Sequence, residues 1–202
     1  MCVLQILWFC VIITIMHQLL GSIATVLTGY SFRSSLKELP KGEVIVIQAK
    51  DIDHQGKITE EGLQKIDRIL SLPQTFLKPG DIVLTARGRF HAAIYLIDSP
   101  AIASSSVVII RPDFNAVDGS YLSAYLNSST GQTSLEKIAI GASVKALQIS
   151  NLRQLEIPTP PIAKQKKISY LFQNILKQQE LCSQKARIQT RIAESLLLPK
   201  YL

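Results

Sequence analysis

"NLRQLEIPTPPIAKQKKI", residues 151–168, decides how the chain is divided. A strand-like run, Leu155–Ile157, stops at Pro158, Pro160 and Pro161, and a basic segment with helical spacing starts at once. Proline lacks a backbone N–H and is excluded from helix interiors, yet it is tolerated in the first turn, where that N–H would have no partner. The stretch therefore predicts the end of one structural unit and the launch of another. Beyond it, Ile168, Leu171, Phe172, Ile175, Cys182, Ala186, Ala193 and Leu196 lie near one face of a helix running from about Ile162 to Leu197.

Charge follows the same boundary. The net charge is +7 over 202 residues, but residues 33–162 carry 14 Lys/Arg against 13 Asp/Glu, whereas residues 163–202 carry 8 against 2. Basicity belongs to the last segment, so any cationic patch on the preceding unit must be local. Three segments follow: an apolar extension over 1–15, a domain over 16–160 and a helix over 161–202. The extension, "MCVLQILWFCVIITIM" with Met16, has no Lys or Arg to orient a signal peptide and is shorter than a membrane span. Met16 opens a normal domain sequence, so residues 1–15 read as an addition to the domain, with an interface helix or membrane anchor as alternatives. Cys2, Cys10 and Cys182 have neither the spacing of a metal site nor that of a disulfide framework, which suits reduced thiols in a cytoplasmic protein.

Working back from the prolines, "GEVIVIQAKDI" (42–52), Ile82–Thr85 within "LKPGDIVLTARG" (77–88), "HAAIYLI" (91–97) and "SSSVVIIRP" (104–112) read as strands. "TEEGLQKIDRIL" (59–70) is rich in helix formers around Gly62. "VDGSYLSAYLNSS" (117–129) reads as a helix capped by Asp118 or Ser120, and residues 135–158 as short strands about a turn at Gly141. The expected fold is mixed α+β: a β-rich domain followed by a long amphipathic, coiled-coil-like helix.

Catalytic patterns are missing. No Gly-rich phosphate loop, HExxH or GxSxG occurs, and "TPPI" (159–162) lacks the polar and aromatic members of an amino-methyltransferase signature. "QAK" (48–50) matches half of a restriction-nuclease core, without an upstream Asp at a matching place to complete its metal site. Asp51, Asp53 and His54 form an acidic turn of the kind usually solvated, so no metal or cofactor is expected. What remains is a set of loops that place cations beside small residues. "TARGRFH" (85–91) holds Arg87, Arg89 and His91 around Gly88, "GASVKALQIS" (141–150) holds Lys145, "TGYSFR" (28–33) holds Arg33, and Lys50 follows the first strand. Glycine permits close backbone approach, and arginine pairs bidentately with guanine edges or phosphate. Several such loops on an almost neutral domain predict a nucleic-acid face.

Together these segments resemble the specificity subunits of type I restriction–modification systems. "LLGSIATVLTGYSFR" resembles the family's opening, "IVIQAKDIDHQGKI" its first strand and Asp-Ile turn, and "LKPGDIVLTARG" its Pro-Gly-Asp-Ile/Val-Leu element. Residues 120–168 are similar to its late pattern: a Tyr-Leu helix, a Gly-Gln turn, an Asn-Leu segment and Pro-Pro-x-x-x-Gln. The resemblance implies a non-catalytic, target-recognition domain with one spacer helix, where a full subunit has two of each. It implies double-stranded DNA as ligand, with methyltransferase and restriction subunits as partners. Arg33, Lys50, Arg87, Arg89, His91 and Lys145 are the candidate DNA contacts. With one domain and one spacer, the chain is expected to pair with itself through Ile168, Leu171, Phe172, Ile175, Cys182 and Ala186. A membrane-associated interaction protein and a metal-dependent nuclease are the competing readings.

Overall fold

The computed structural model describes residues 16–32, 42–67 and 76–197. The extension 1–15 and Arg33 lie outside these residues. Among the described residues the chain forms nine strands and five α-helices.

Two strands carry the core. β5 (Ile82–Thr85) lies between β8 (Val107–Pro112) and β6 (Ala92–Ile94), and β8 also pairs with β2 (Ala24–Thr28); every pairing in this four-stranded sheet is antiparallel. Successive side chains of a strand point to opposite faces. Ile82, Leu84, Val108 and Ile110 accordingly enter one hydrophobic core, while Val83, Val107 and Ile109 enter another. Burial on both faces explains why these segments read as unbroken apolar runs rather than alternating ones. At about 1.5–3 kcal/mol for each fully buried Ile, Leu or Val, this sheet is the main source of stability.

On one face lie helices α1 (Leu20–Ile23), α2 (Gly119–Asn127) and α4 (Ile149–Arg153), joined in one core through Leu20, Ile23, Leu122, Leu126 and Leu152. On the other lies a three-stranded sheet of β4 (Gln64–Ile66), β3 (Val44–Ile47) and β7 (Ala101–Ala103), with β3 parallel to β7. α3 (Ser129–Ile138) follows α2 after a single residue, Ser128, whose hydroxyl accepts the Gly131 N–H at 3.1 Å.

Two expectations are corrected here. The helix formers of 59–70, interrupted by Gly62, build no helix over 59–67: Gly62 takes φ +78° in a turn and Gln64–Ile66 pair with β3, while 68–70 lie outside the described residues. Gln64 and Ile66 are buried and Lys65 is exposed, so a period of two outweighs the helix propensity of Glu and Lys. Residues 135–158, expected to be strands, contain the end of α3, all of α4 and one strand, β9 (Glu156–Thr159). The Gly131-Gln132 pair lies in the first turn of α3.

β1 (Met16–Leu19) pairs antiparallel with β9, Met16 opposite Thr159 and Leu19 opposite Glu156. β9 is an edge strand, which is where a strand tolerates Pro158. α5 (Ile162–Leu197) starts directly after Pro160 and Pro161. Its direction is set by Gln165, which is 1% exposed. The Gln165 Nε2 donates to the Pro160 carbonyl at 2.8 Å, and its Oε1 accepts the Asp118 N–H at 2.8 Å. Asp118 in turn caps α2, accepting the Tyr121 N–H at 2.8 Å, and the Tyr121 hydroxyl donates to the Pro158 carbonyl at 2.7 Å. Further along, Lys57 and Glu180 form an ion pair at 2.6 Å, and residues 181–197 are exposed throughout. Among the described residues no helix is long and apolar enough to cross a membrane.

Candidate nucleic-acid interface

The 85–91 loop, Tyr30 and the turn at Lys50 meet at Ser104–Ser106, and the 141–145 loop joins them through the 85–91 loop. The β5–β6 hairpin closes through Thr85, whose N–H donates to the His91 carbonyl at 3.0 Å and whose hydroxyl accepts the His91 N–H at 2.9 Å. At its tip Gly88 adopts φ +77°, a conformation that glycine alone enters without strain. Arg87, Gly88 and Arg89 are exposed there. Beside the tip, Ile140 and Ala146 exchange backbone hydrogen bonds of 2.9 and 2.8 Å and close the 141–145 loop. The two loops are joined by their backbones: Gly88 N–H donates to Lys145 at 2.9 Å, and Leu147 N–H to Ala86 at 2.9 Å. Arg87, Arg89 and exposed Lys145 thus share one ridge.

The Ala86 N–H donates to the Ser106 carbonyl at 2.9 Å, and the Ser106 Oγ accepts the Ala49 N–H at 3.0 Å. That contact anchors the 3₁₀ turn Ala49–Asp51, on which Lys50 is exposed. On the remaining side Tyr30 brackets the same turn, donating to the Ala103 carbonyl at 2.7 Å and accepting the Ser105 N–H at 2.8 Å. Gly29 is required there, because a Cβ would overlap the Ser104 carbonyl. Tyr30 also meets Phe32 edge to face at 4.8 Å between ring centroids.

His91 sits to one side, half-buried. Burial first, then Arg89 and His54, pull its pKa below the ordinary value, and Asp53 opposes them. Near neutral pH it is an uncharged ring that donates or accepts a hydrogen bond, not a cation. Asp51 and Asp53 are occupied locally: Asp51 accepts the Gln48 N–H, and Asp53 accepts those of Gln55 and Lys57, each at 2.8 Å. Among the described residues no group of three His, Cys, Asp or Glu is placed to hold a metal.

Two ion pairs occur among the described residues, Lys57–Glu180 and Arg111–Asp81. Among the described residues Lys50, Arg87, Arg89 and Lys145 belong to neither, although Lys50 stands close enough to Asp51 to stabilise its carboxylate. Two residues that position this surface are not apparent in the sequence. The Gln132 amide donates to the Phe90 and Leu126 carbonyls, each at 2.6 Å, and so ties the hairpin to α2. The Asn127 carboxamide pairs with both backbone groups of Ala92, at 2.7 and 3.0 Å, filling the free edge of β6. Gln132 belongs to the quoted Gly-Gln motif, but its reach back to Phe90, 42 positions earlier, has no periodic signature.

On α5 the predicted partner residues divide. Ile168, Leu171 and Ile175 are exposed on the outer side, and Cys182 and Ala186 lie on the free part of the helix. Phe172 is half-buried instead, lining with Leu176 a crevice of about 670 Å³ against α2 and residues 55–60.

Residues 16–189 match the sequence profile of the type I restriction modification DNA specificity domain. Three solved structures share the fold. One, on complex assembly and conformational transition of the type I R-M system, is 21% identical with TM-score 0.67, covering 90% of this chain and 43% of its own. The type I S subunit from M. genitalium is 19% identical with TM-score 0.56, covering 89% and 44%. The HsdS subunit from Thermoanaerobacter tengcongensis is 21% identical with TM-score 0.57, covering 85% and 39%. The chain thus spans about two fifths of the length of each. No curated protein sequence matches.

Proposed function

The chain belongs to the type I restriction–modification DNA specificity family, and from that premise we propose that it recognises one half of a bipartite site on double-stranded DNA. It performs no chemistry itself and directs a methyltransferase subunit, with restriction subunits, to that site in the cytoplasm. Two copies pair through α5, so the target is a palindrome with an unread gap, because a two-fold axis presents identical reading surfaces.

The observation that carries this reading is the backbone union of the 85–91 and 141–147 loops beside the Ser104–Ser106 turn, with Arg87, Arg89 and Lys145 exposed and in no ion pair among the described residues. Bonds between the loops reduce the ordering cost of binding, and unpaired cations displace counterions from phosphate. Arg33 is carried as a contact from the sequence pattern alone, and His91 as a neutral hydrogen-bonding group. The test is Arg87→Ala and Lys145→Ala, with affinity followed against salt. A residue on phosphate lowers the salt slope by about one and weakens all sequences alike, whereas one on a base edge relaxes specificity at one position. Unaltered binding by both variants removes the ridge from the interface.

A further inference from the structure

Three short stretches meet backbone to backbone at the ridge. Ile140 and Ala146 exchange both of their hydrogen bonds, and on its other side Ala146 stands opposite Arg87; both pairings are antiparallel. Ile140, Ala146 and Arg87 therefore form one cross-strand row, and residues opposite each other on antiparallel strands share a face. The direction of that face is fixed by the next row along. There the Leu147 N–H donates to the Ala86 carbonyl, and both side chains are buried in the core that includes α2. Successive side chains of a strand alternate, so the row of Ile140, Ala146 and Arg87 points away from the core. Arg87 is exposed and Ile140 is 52% exposed. Ala146 between them carries only a methyl group, so both longer side chains stand clear of the backbone.

An exposed isoleucine by itself is ordinary. This one shares a narrow face with an arginine that is in no ion pair among the described residues, on loops already bonded to each other. A narrow β-ribbon fits the major groove, where every base pair shows a distinct pattern and thymine adds an apolar group, its 5-methyl. A cation and a branched alkyl group on one ribbon match that surface. The guanidinium takes guanine or phosphate oxygens, and the alkyl group takes the methyl.

We propose that Ile140 is a specificity-determining residue that packs on the 5-methyl group of a thymine in the major groove. The assignment rests on the DNA-recognition reading above and names a feature read within it. Opposed residues of an antiparallel ladder lie about 4.5–5.5 Å apart between Cα atoms, so Ile140 stands ~10 Å from Arg87 across the row. At about 3.4 Å per base pair, the thymine lies about three steps from the contact of Arg87. Val144, 59% exposed at the apex of the same loop, stands outside the row and serves as the comparison.

In the test, the full chain selects duplexes from a randomised DNA pool. The enriched sequence is then resynthesised with deoxyuridine replacing one thymine at a time, which removes only the methyl group. One replacement should weaken binding by the unaltered chain about fourfold, the factor for one buried methyl-sized group. Ile140→Ala should lose at least that factor on the thymine duplex and bind both duplexes alike, whereas Val144→Ala should keep the difference. An enriched site in which no thymine methyl matters overturns the assignment and leaves DNA recognition standing. So does a methyl effect that survives Ile140→Ala or disappears in Val144→Ala. Failure to enrich any sequence above the starting pool overturns the recognition reading and the assignment together.

Discussion

Asp81 shows how one side chain holds the frame behind the ridge of Arg87, Arg89 and Lys145. It stands at the turn before β5, with its carboxylate 2% exposed, and receives the Arg111 guanidinium through Nε at 2.8 Å and through a second nitrogen at 2.7 Å. It also accepts the Lys78 N–H at 2.8 Å, while Arg111 reaches the Phe76 carbonyl at 3.0 Å. The hydrogen bonds to Asp81 raise the Arg111 pKa further, against the opposing effect of burial. The pair staples β8 to the start of β5, the strand that leads into the hairpin. Asp81→Asn keeps the shape but leaves a partly buried guanidinium without its counter-charge. It should cost about 3 kcal/mol in chemical denaturation, the lower end of the range for broken buried pairs because Arg111 keeps some access to water. A loss under ~0.5 kcal/mol would mean that solvent replaces the carboxylate there.

At the scale of elements, the junction between domain and α5 rests on Gln165. Replacing it with Ala takes the partner from the half-buried Asp118 N–H and the buried Pro160 carbonyl, a loss of about 1–3 kcal/mol. The same change should loosen the angle at which the helix departs, read as a broadened distance distribution between spin labels on β2 and on residue 190. A distribution as narrow as that of the unaltered chain would assign the angle to the Tyr121–Pro158 contact instead. Elements with strong local signals were legible beforehand. Pro79-Gly80 and Gly88 bracket β5, the Pro158–Pro161 run starts α5, and Asp118 announces α2 as its cap. The misread ones depend on distant partners. β4 exists because β3 offers it a ladder, and α4 because Leu152 fills the core beneath β2 and α1. The candidate site divides in the same way: the exposure of Arg87, Arg89 and Lys145 follows from the glycines beside them, while the Ser104–Ser106 hub and the Asn127 and Gln132 anchors depend on contacts far apart in the chain.

Across the whole molecule, the β1–β9 clasp joins residues separated by nearly the full length of the domain, with Met16 opposite Thr159 and the Leu20 N–H donating to the Leu155 carbonyl at 2.8 Å. Contacts this distant require the longest loop closure and are rewarded late, because the intervening chain must order first. In refolding followed by pulsed hydrogen exchange, amides of β1 and β9 should gain protection in the slowest phase, after those of β5 and β8. Protection of β1 alongside β5 would place the clasp in the folding nucleus instead. The clasp also has a consequence for synthesis. β9 leaves the ribosome immediately before α5, so the domain cannot be completed until the helix begins to emerge. The step that finishes the domain is therefore the one that aims the helix.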